Sequence, residues 1–132
     1  MLRGITKLSI PIYLIKKKLK NVKLYQCDLT NENQVKRLFS KIGNNFSNCI
    51  YLSSNVDVPL SINNPSKDLT INAISLINTL KYSKYEKFIY MSTTGVYDGL
   101  QGRVDTNSKL NPINPYCISK LATEQYVKYF RS

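Results

Sequence analysis

Tyr116-Cys-Ile-Ser-Lys120 sets a phenol and an ammonium four residues apart, a spacing that stacks both side chains on one face of a helix. Such a pair suits proton transfer by tyrosine. A free phenol has a pKa near 10, and a positive charge about 6 Å away at an effective dielectric of about 20 contributes roughly 3 kcal/mol, or about two pKa units. The phenol then becomes a usable general acid/base. The spacing alone proves nothing, because ten tyrosines and fifteen lysines (nineteen Lys+Arg less Arg3, Arg37, Arg103 and Arg131) give roughly one chance match. Tyr13 and Lys17 form such a match and read as a decoy on a solvated basic face. Tyr116 differs by context: Asn114-Pro115 supplies a helix cap and first turn, and an upstream apolar run ends in the hydroxyl residues Ser92, Thr93 and Thr94.

The elements that must position this pair follow from periodicity. Four short runs rich in β-formers, Leu2 to Thr6, Val22 to Cys27, Asn48 to Ser53 and Lys87 to Ser92, read as strands. Helical spacing fills the gaps. Pro65 to Tyr82 carries a broad apolar face (Leu69, Ile71, Ala73, Ile74, Leu76, Ile77, Leu80) behind an Asn64-Pro65 cap. Asp28 or Thr30 caps a helix holding Val35, Leu38, Phe39 and Ile42, and the Tyr116 helix runs on through Leu121, Tyr126 and Phe130. Alternating strands and helices predict an α/β fold with a parallel sheet. Gly95 to Asn114, dense in turn formers, leaves the fourth strand at the carboxyl end of the sheet, where open α/β sheets bind ligands.

With 132 residues, 42% hydrophobic and 20% charged, the chain reads as one domain, and its net charge of +11 favours an anionic partner without choosing among nucleotide, nucleic acid and membrane surface. Three scattered cysteines (Cys27, Cys49, Cys117) and no histidine argue against a metal site, a His-dependent nucleophile and a disulfide framework, and point to a reducing cytoplasm. The Leu8 to Ile15 run is too short for a bilayer span, so no membrane anchor is expected. Residues 1 to 27 contain no acid but an excess of cations, yet lack the Ser and Arg enrichment of a transit peptide.

Read in order, "CDLT" (27–30), "IYLSS" (50–54), "INAISLINTL" (71–80), "FIYMSTTGVYD" (88–98) and "NPINPYCISKLATEQ" (111–125) resemble the extended short-chain dehydrogenase/reductase family, the NAD(P)-dependent nucleotide-sugar epimerases and dehydratases. The resemblance covers nearly the whole chain and implies a partial Rossmann-like, doubly wound parallel sheet comprising strands 2–5 of the family. It implies Tyr116 as acid/base, Lys120 as its electrostatic partner and nicotinamide-ribose ligand, and Thr93 as the hydroxyl that bonds the reacting oxygen. Asp28 and Leu29 match positions near the adenine, Ser53 and Ser54 match small residues beside the cofactor, and Ser92 is structural or cofactor-facing. Asn72 matches a helix asparagine near the active site, with a buried structural role equally open.

Three departures qualify this picture. Dehydratases of the family place an Asp-Glu pair after the catalytic hydroxyl, whereas Thr94 and Gly95 stand here, so an epimerase or simple reductase is favoured. Asp98 replaces the usual glycine after Val-Tyr, with Gly99 one place later. The Gly-x-x-Gly-x-x-Gly turn that closes on the pyrophosphate does not occur, so residues 1–132 are expected to be an internal piece of a Rossmann domain without the first strand and without the substrate lobe. Alone, such a piece is expected to bind NAD(P) weakly and to be inactive. Lys7, with no nearby acid at the end of strand 2, tips the cofactor toward NADP. The expected partner is a nucleotide sugar, with no nucleic acid or membrane, and a homodimer is open to the complete parent. A non-catalytic NAD(P)-binding scaffold and a basic nucleic-acid binder are the competing classes.

Overall fold

The computed structural model describes residues 21–131. After the segment 21–30, helix α1 (Glu32–Ile42) starts at Asn31, whose side chain accepts the Gln34 N–H at 3.1 Å. The cap expected at Asp28 or Thr30 falls one residue later, because Asp28 closes its own turn: its Oδ1 accepts the Thr30 N–H at 2.9 Å and the Thr30 hydroxyl at 2.7 Å. Val35 and Phe39, one turn apart, are the buried side chains of α1. Gly43 ends it at φ +93°, a left-handed value that favours glycine, and its N–H returns to the Phe39 carbonyl.

Strand β1 (Asn45–Tyr51) leads to α2 (Val58–Asn63), capped by Asp57 with Pro59 in its first turn. Next come α3 (Pro65–Leu69), a π-helical turn (Thr70–Ile74) and α4 (Ser75–Tyr82). Strand β2 (Lys84–Tyr90) is followed by a 3₁₀ turn (Thr94–Tyr97) and, after a long loop, by α5 (Pro115–Arg131). The strands pair in parallel, from Asn45 opposite Lys84 to Tyr51 opposite Tyr90. A parallel pair needs a crossover, which α2 to α4 supply. The α/β reading with a parallel sheet therefore holds, with two strands among the described residues.

One strand expectation changes. Val22 to Cys27 forms no strand: no described neighbour supplies a ladder for it, and Val22, Leu24 and Tyr25 are exposed. Leu2 to Thr6, Lys7 and the Tyr13/Lys17 pair lie outside the described residues. In addition, β1 and β2 each begin three residues earlier than the apolar runs suggest, and each stops two residues sooner.

Alternation sorts the ends of the two strands: Cys49, Tyr51, Phe88 and Tyr90 turn toward the helices, while Ile50 and Ile89, paired across the ladder, are 64% and 43% exposed. Ring contacts run without a gap from Phe39 through Phe46, Tyr85, Phe88 and Tyr51 to Tyr90, with centroids 5.3 to 6.4 Å apart. Val35, Ala73, Leu76, Val96 and Cys117 complete the apolar core.

The Pro65 to Tyr82 segment buries its apolar face only in part, with Ala73 and Leu76 buried and Ile71, Ile77 and Leu80 half-buried. Leu69 and Ile74 are exposed, whereas Asp68, Asn72, Ser75, Thr79 and Ser83 are buried. The π turn is the reason: one extra residue within a turn rotates the faces on either side out of line. Small hydroxyls tolerate that burial because the helix's own carbonyls accept their protons, Ser75 to Ile71, Thr79 to Ser75 and Ser83 to Thr79.

Candidate active site at the carboxyl edge of the sheet

Because β1 and β2 run in parallel, Ser53-Ser54 and Ser92-Thr93 leave the sheet at the same edge. Thr93 adopts an extended backbone (φ −142°) and caps the 3₁₀ turn, its Oγ accepting the Gly95 N–H at 3.1 Å. That contact occupies a lone pair and leaves the O–H proton available to donate.

Helix α5 delivers the other two expected groups. Asn114 accepts the Cys117 N–H at 2.9 Å, and Pro115 opens the helix, so Tyr116 stands in the first turn, half-buried, with Lys120 one turn on. Lys120 is 3% exposed. Its Nζ donates to the Met91 carbonyl at the end of β2 and lies 4.4 Å from the centroid of the Tyr90 ring. Burial depresses the pKa of the ammonium, and the nearby charges of Glu124 and Asp68 oppose that shift.

Three contacts fasten α5 to the end of β2. Lys120 holds Met91, Glu124 accepts the Ser92 hydroxyl, and Gly95 lies against Cys117, where a Cβ on the glycine would come within 2.4 Å of the sulfur. Burial and its hydrogen bonding at Ser119 fix the opposite side. The Asn72 carbonyl oxygen accepts the Asn55 N–H at 2.7 Å and the Ser54 hydroxyl at 3.0 Å, while its amide donates to Asp68 at 3.1 Å and to Ser119 at 2.8 Å. Ser119 in turn donates to the other Asp68 oxygen at 2.6 Å, and Asn55 donates to Asp68 at 2.7 Å. Asn72 thus spends its full hydrogen-bonding capacity tying the end of β1, the π turn and α5 together.

The structure brings Thr93, Lys120, Ser53 and Ser54 to one edge, with Tyr116 a turn from Lys120. Asp28 and Leu29 are anchored separately: the Leu29 and Thr30 carbonyls accept the Asn78 amide of α4 at 3.0 and 3.3 Å, and Asp28 is exposed. Residues that motif reading left without a role are Tyr90, Asp68, Ser119 and Glu124. Asp68 and Asn72 at i and i+4, and Lys120 and Glu124 likewise, were visible as helical neighbours; the Met91 carbonyl left no trace in side-chain identity. Among the described residues no cluster of three or more His, Cys, Asp or Glu could hold a metal ion.

The loop after the 3₁₀ turn is closed at its base. Gly99 donates to the Asn111 carbonyl at 2.8 Å, the Asn111 amide returns to Gly99 O at 3.0 Å, and the Asn111 N–H meets Val96 O at 2.8 Å. A Cβ on Gly99 would sit 2.3 Å from Asn111 Nδ2, so the glycine belongs at this position, one place after Asp98.

A parallel α/β sheet with strand-end hydroxyls, a buried lysine and a tyrosine one turn before it, all at the carboxyl edge, is the architecture of the Rossmann-like nucleotide-binding folds. The chain belongs to the NAD dependent epimerase/dehydratase family, whose family model matches residues 5–132. It is similar to human dTDP-D-glucose 4,6-dehydratase, 31% identical over 114 residues, which cover 83% of this chain and 32% of that protein. In structure it is similar to the UDP-Glc/GlcNAc 4-epimerase of Campylobacter jejuni (TM-score 0.78, 29% identity, 89% of this chain and 36% of that one). A dTDP-4-dehydrorhamnose reductase of Bacillus anthracis, solved in complex with NADP, gives TM-score 0.69 at 25% identity over 89% of this chain and 45% of that one. The chain spans about a third of the length of the curated relatives it matches. No helix among the described residues is long and apolar enough to cross a membrane.

Proposed function

We propose that this chain carries the proton-transfer segment of an NAD(P)-dependent enzyme that oxidises and reduces a hydroxyl or keto carbon of a nucleotide sugar. The observation that carries the reading is Lys120: a charged side chain held at the carboxyl edge, one turn from a phenol and beside the end of the strand that presents Thr93.

A nicotinamide, when bound, exchanges a hydride with the substrate carbon. The edge offers groups that fit its ribose half: an ammonium with donors beyond the one given to Met91, and the small residues Ser53 and Ser54, which leave room for close approach. Tyr116 removes the hydroxyl proton of the carbon being oxidised and returns it on reduction. Lys120 stabilises the phenolate that takes up this proton and that is regenerated when the proton is returned. Thr93, its lone pair already engaged by Gly95, donates its proton to the reacting oxygen. Asp28 and Leu29 serve the adenine end of the cofactor.

Thr94 and Gly95 provide no carboxylate after Thr93, which favours an epimerase or reductase over a dehydratase, although relatives of all three kinds match. Lys7 supports NADP. The free cysteines Cys27, Cys49 and Cys117 support a cytoplasmic setting, and the complete protein is proposed to act as a homodimer.

Adding NADPH, NADH and UDP-glucose to the ¹⁵N-labelled chain tests the reading. Weak, millimolar binding with shifts gathered at Ser53, Ser54, Thr93 and Lys120 is expected; shifts confined to other regions, or none, overturn it. In a turnover-competent form of the protein, Tyr116→Phe is expected to lower kcat by about 10²–10⁴-fold with cofactor binding retained. Undiminished turnover removes Tyr116 from the mechanism.

A further inference from the structure

Lys120 is nearly inaccessible to solvent, yet among the described residues it closes no ion pair. The two carboxylates whose fields reach it are committed elsewhere: Glu124, on its own helix, accepts the Ser92 hydroxyl, and Asp68, from α3, accepts Asn55, Asn72 and Ser119. Tyr116, also on α5, is the remaining titratable group of the helix face. From β2, a backbone carbonyl meets the ammonium, and so does the face of the Tyr90 ring at 4.4 Å. A desolvated cation at that distance from a ring face is strongly attracted by the ring quadrupole.

The Tyr90 hydroxyl does not explain the choice of residue. It is buried and closes no hydrogen bond of acceptable geometry, although the Thr123 hydroxyl lies near enough to pull its pKa down against the larger upward push of burial. An orphaned hydroxyl is a cost, so what the position supplies is the ring.

We propose that Tyr90 is a positioning residue for Lys120, its ring face holding the buried ammonium against the carboxyl edge of the sheet by a cation–π contact. Its bearing on turnover rests on the catalytic role proposed for Lys120. The contact itself is read without substrate or cofactor, so its failure and the failure of that role are distinguishable.

The test follows the titration of Lys120 by NMR in the 132-residue chain with ¹³C-labelled lysine, comparing wild type, Tyr90→Phe and Tyr90→Leu. The Phe variant keeps the ring and is expected to titrate with wild type. The Leu variant is expected to titrate about half a pH unit lower or more, roughly a threefold or greater change in the dissociation constant. An unchanged or raised midpoint in Tyr90→Leu, or a fall in Tyr90→Phe as large as that in Tyr90→Leu, overturns the proposal. If Tyr90→Leu disturbs the fold, ring-fluorinated phenylalanines at position 90 keep the shape while removing negative charge from the ring face. The midpoint is then expected to fall with each added fluorine, and a flat series overturns the proposal equally.

Discussion

Lys120 is buried and Tyr85 half-buried, and the two respond to pH in opposite directions. Burial lowers the pKa of Lys120, so the unfolded chain binds its proton more tightly, and this group's contribution to stability improves as pH rises toward 10.5. Burial, partly offset by the hydrogen bond between the Ser83 and Tyr85 hydroxyls, raises Tyr85 to about 12. The folded state keeps that phenol neutral, so the stability it gives is fully present below pH 10.0 and is lost as pH climbs through about 12. Tyr90 is raised for the same reason and acts in the same sense. Tyr85→Phe is therefore expected to move alkaline unfolding, followed by circular dichroism, to higher pH; an unmoved transition removes Tyr85 as its cause. The spacing of Tyr116 and Lys120 was legible in the sequence. The burial of Lys120 was not, because a lysine four residues after a tyrosine reads equally well as a solvated side chain.

Among the elements, the caps were the clearest signals. Asn64-Pro65 and Asn114-Pro115 both act as expected, Asn64 accepting the Lys67 N–H at 3.0 Å and Asn114 that of Cys117 at 2.9 Å. Helix α2 has a cap of the same kind in Asp57 with Pro59, but its six residues (Val58–Asn63) are too few to display a period. The π turn was hidden for another reason: the apolar residues from Leu69 to Leu80 read smoothly at helical spacing straight through it. Its effect is to bring Asn72 into a junction of buried polar groups. Asn72→Ala, by leaving the Asn55 N–H without its acceptor and removing one of the three donors to Asp68, is expected to cost about 1–3 kcal/mol in urea unfolding. Loss of the Asn64 cap, as Asn64→Ala, is expected to cost about 1 kcal/mol. If Asn72→Ala proves the milder of the two, the network is not what binds β1 to α5.

At the scale of the molecule, nineteen cations face eight acids, and the Lys81–Glu32 pair at 2.5 Å joins one of each on the surface. Most of the excess charge repels itself. Added salt is expected to raise Tm most steeply up to about 0.1 M, where the Debye length has fallen to about 10 Å, and little beyond. A Tm insensitive to salt would show that the charges are too dispersed to matter. Alternating strands and helices gave the parallel α/β topology, because Asn45–Tyr51 and Lys84–Tyr90 have each other as partners. Val22 to Cys27 has the same composition without a described partner, and composition alone does not make a ladder. The clasp between Gly99 and Asn111 gives the molecule a modular character. Residues 100–110 hang from a closed neck, and doubling the length of a flexible loop adds only about 0.6 kcal/mol of closure entropy. This stretch is a cassette: it can be rewritten in length and sequence, by evolution or at the bench, with α5 left in register.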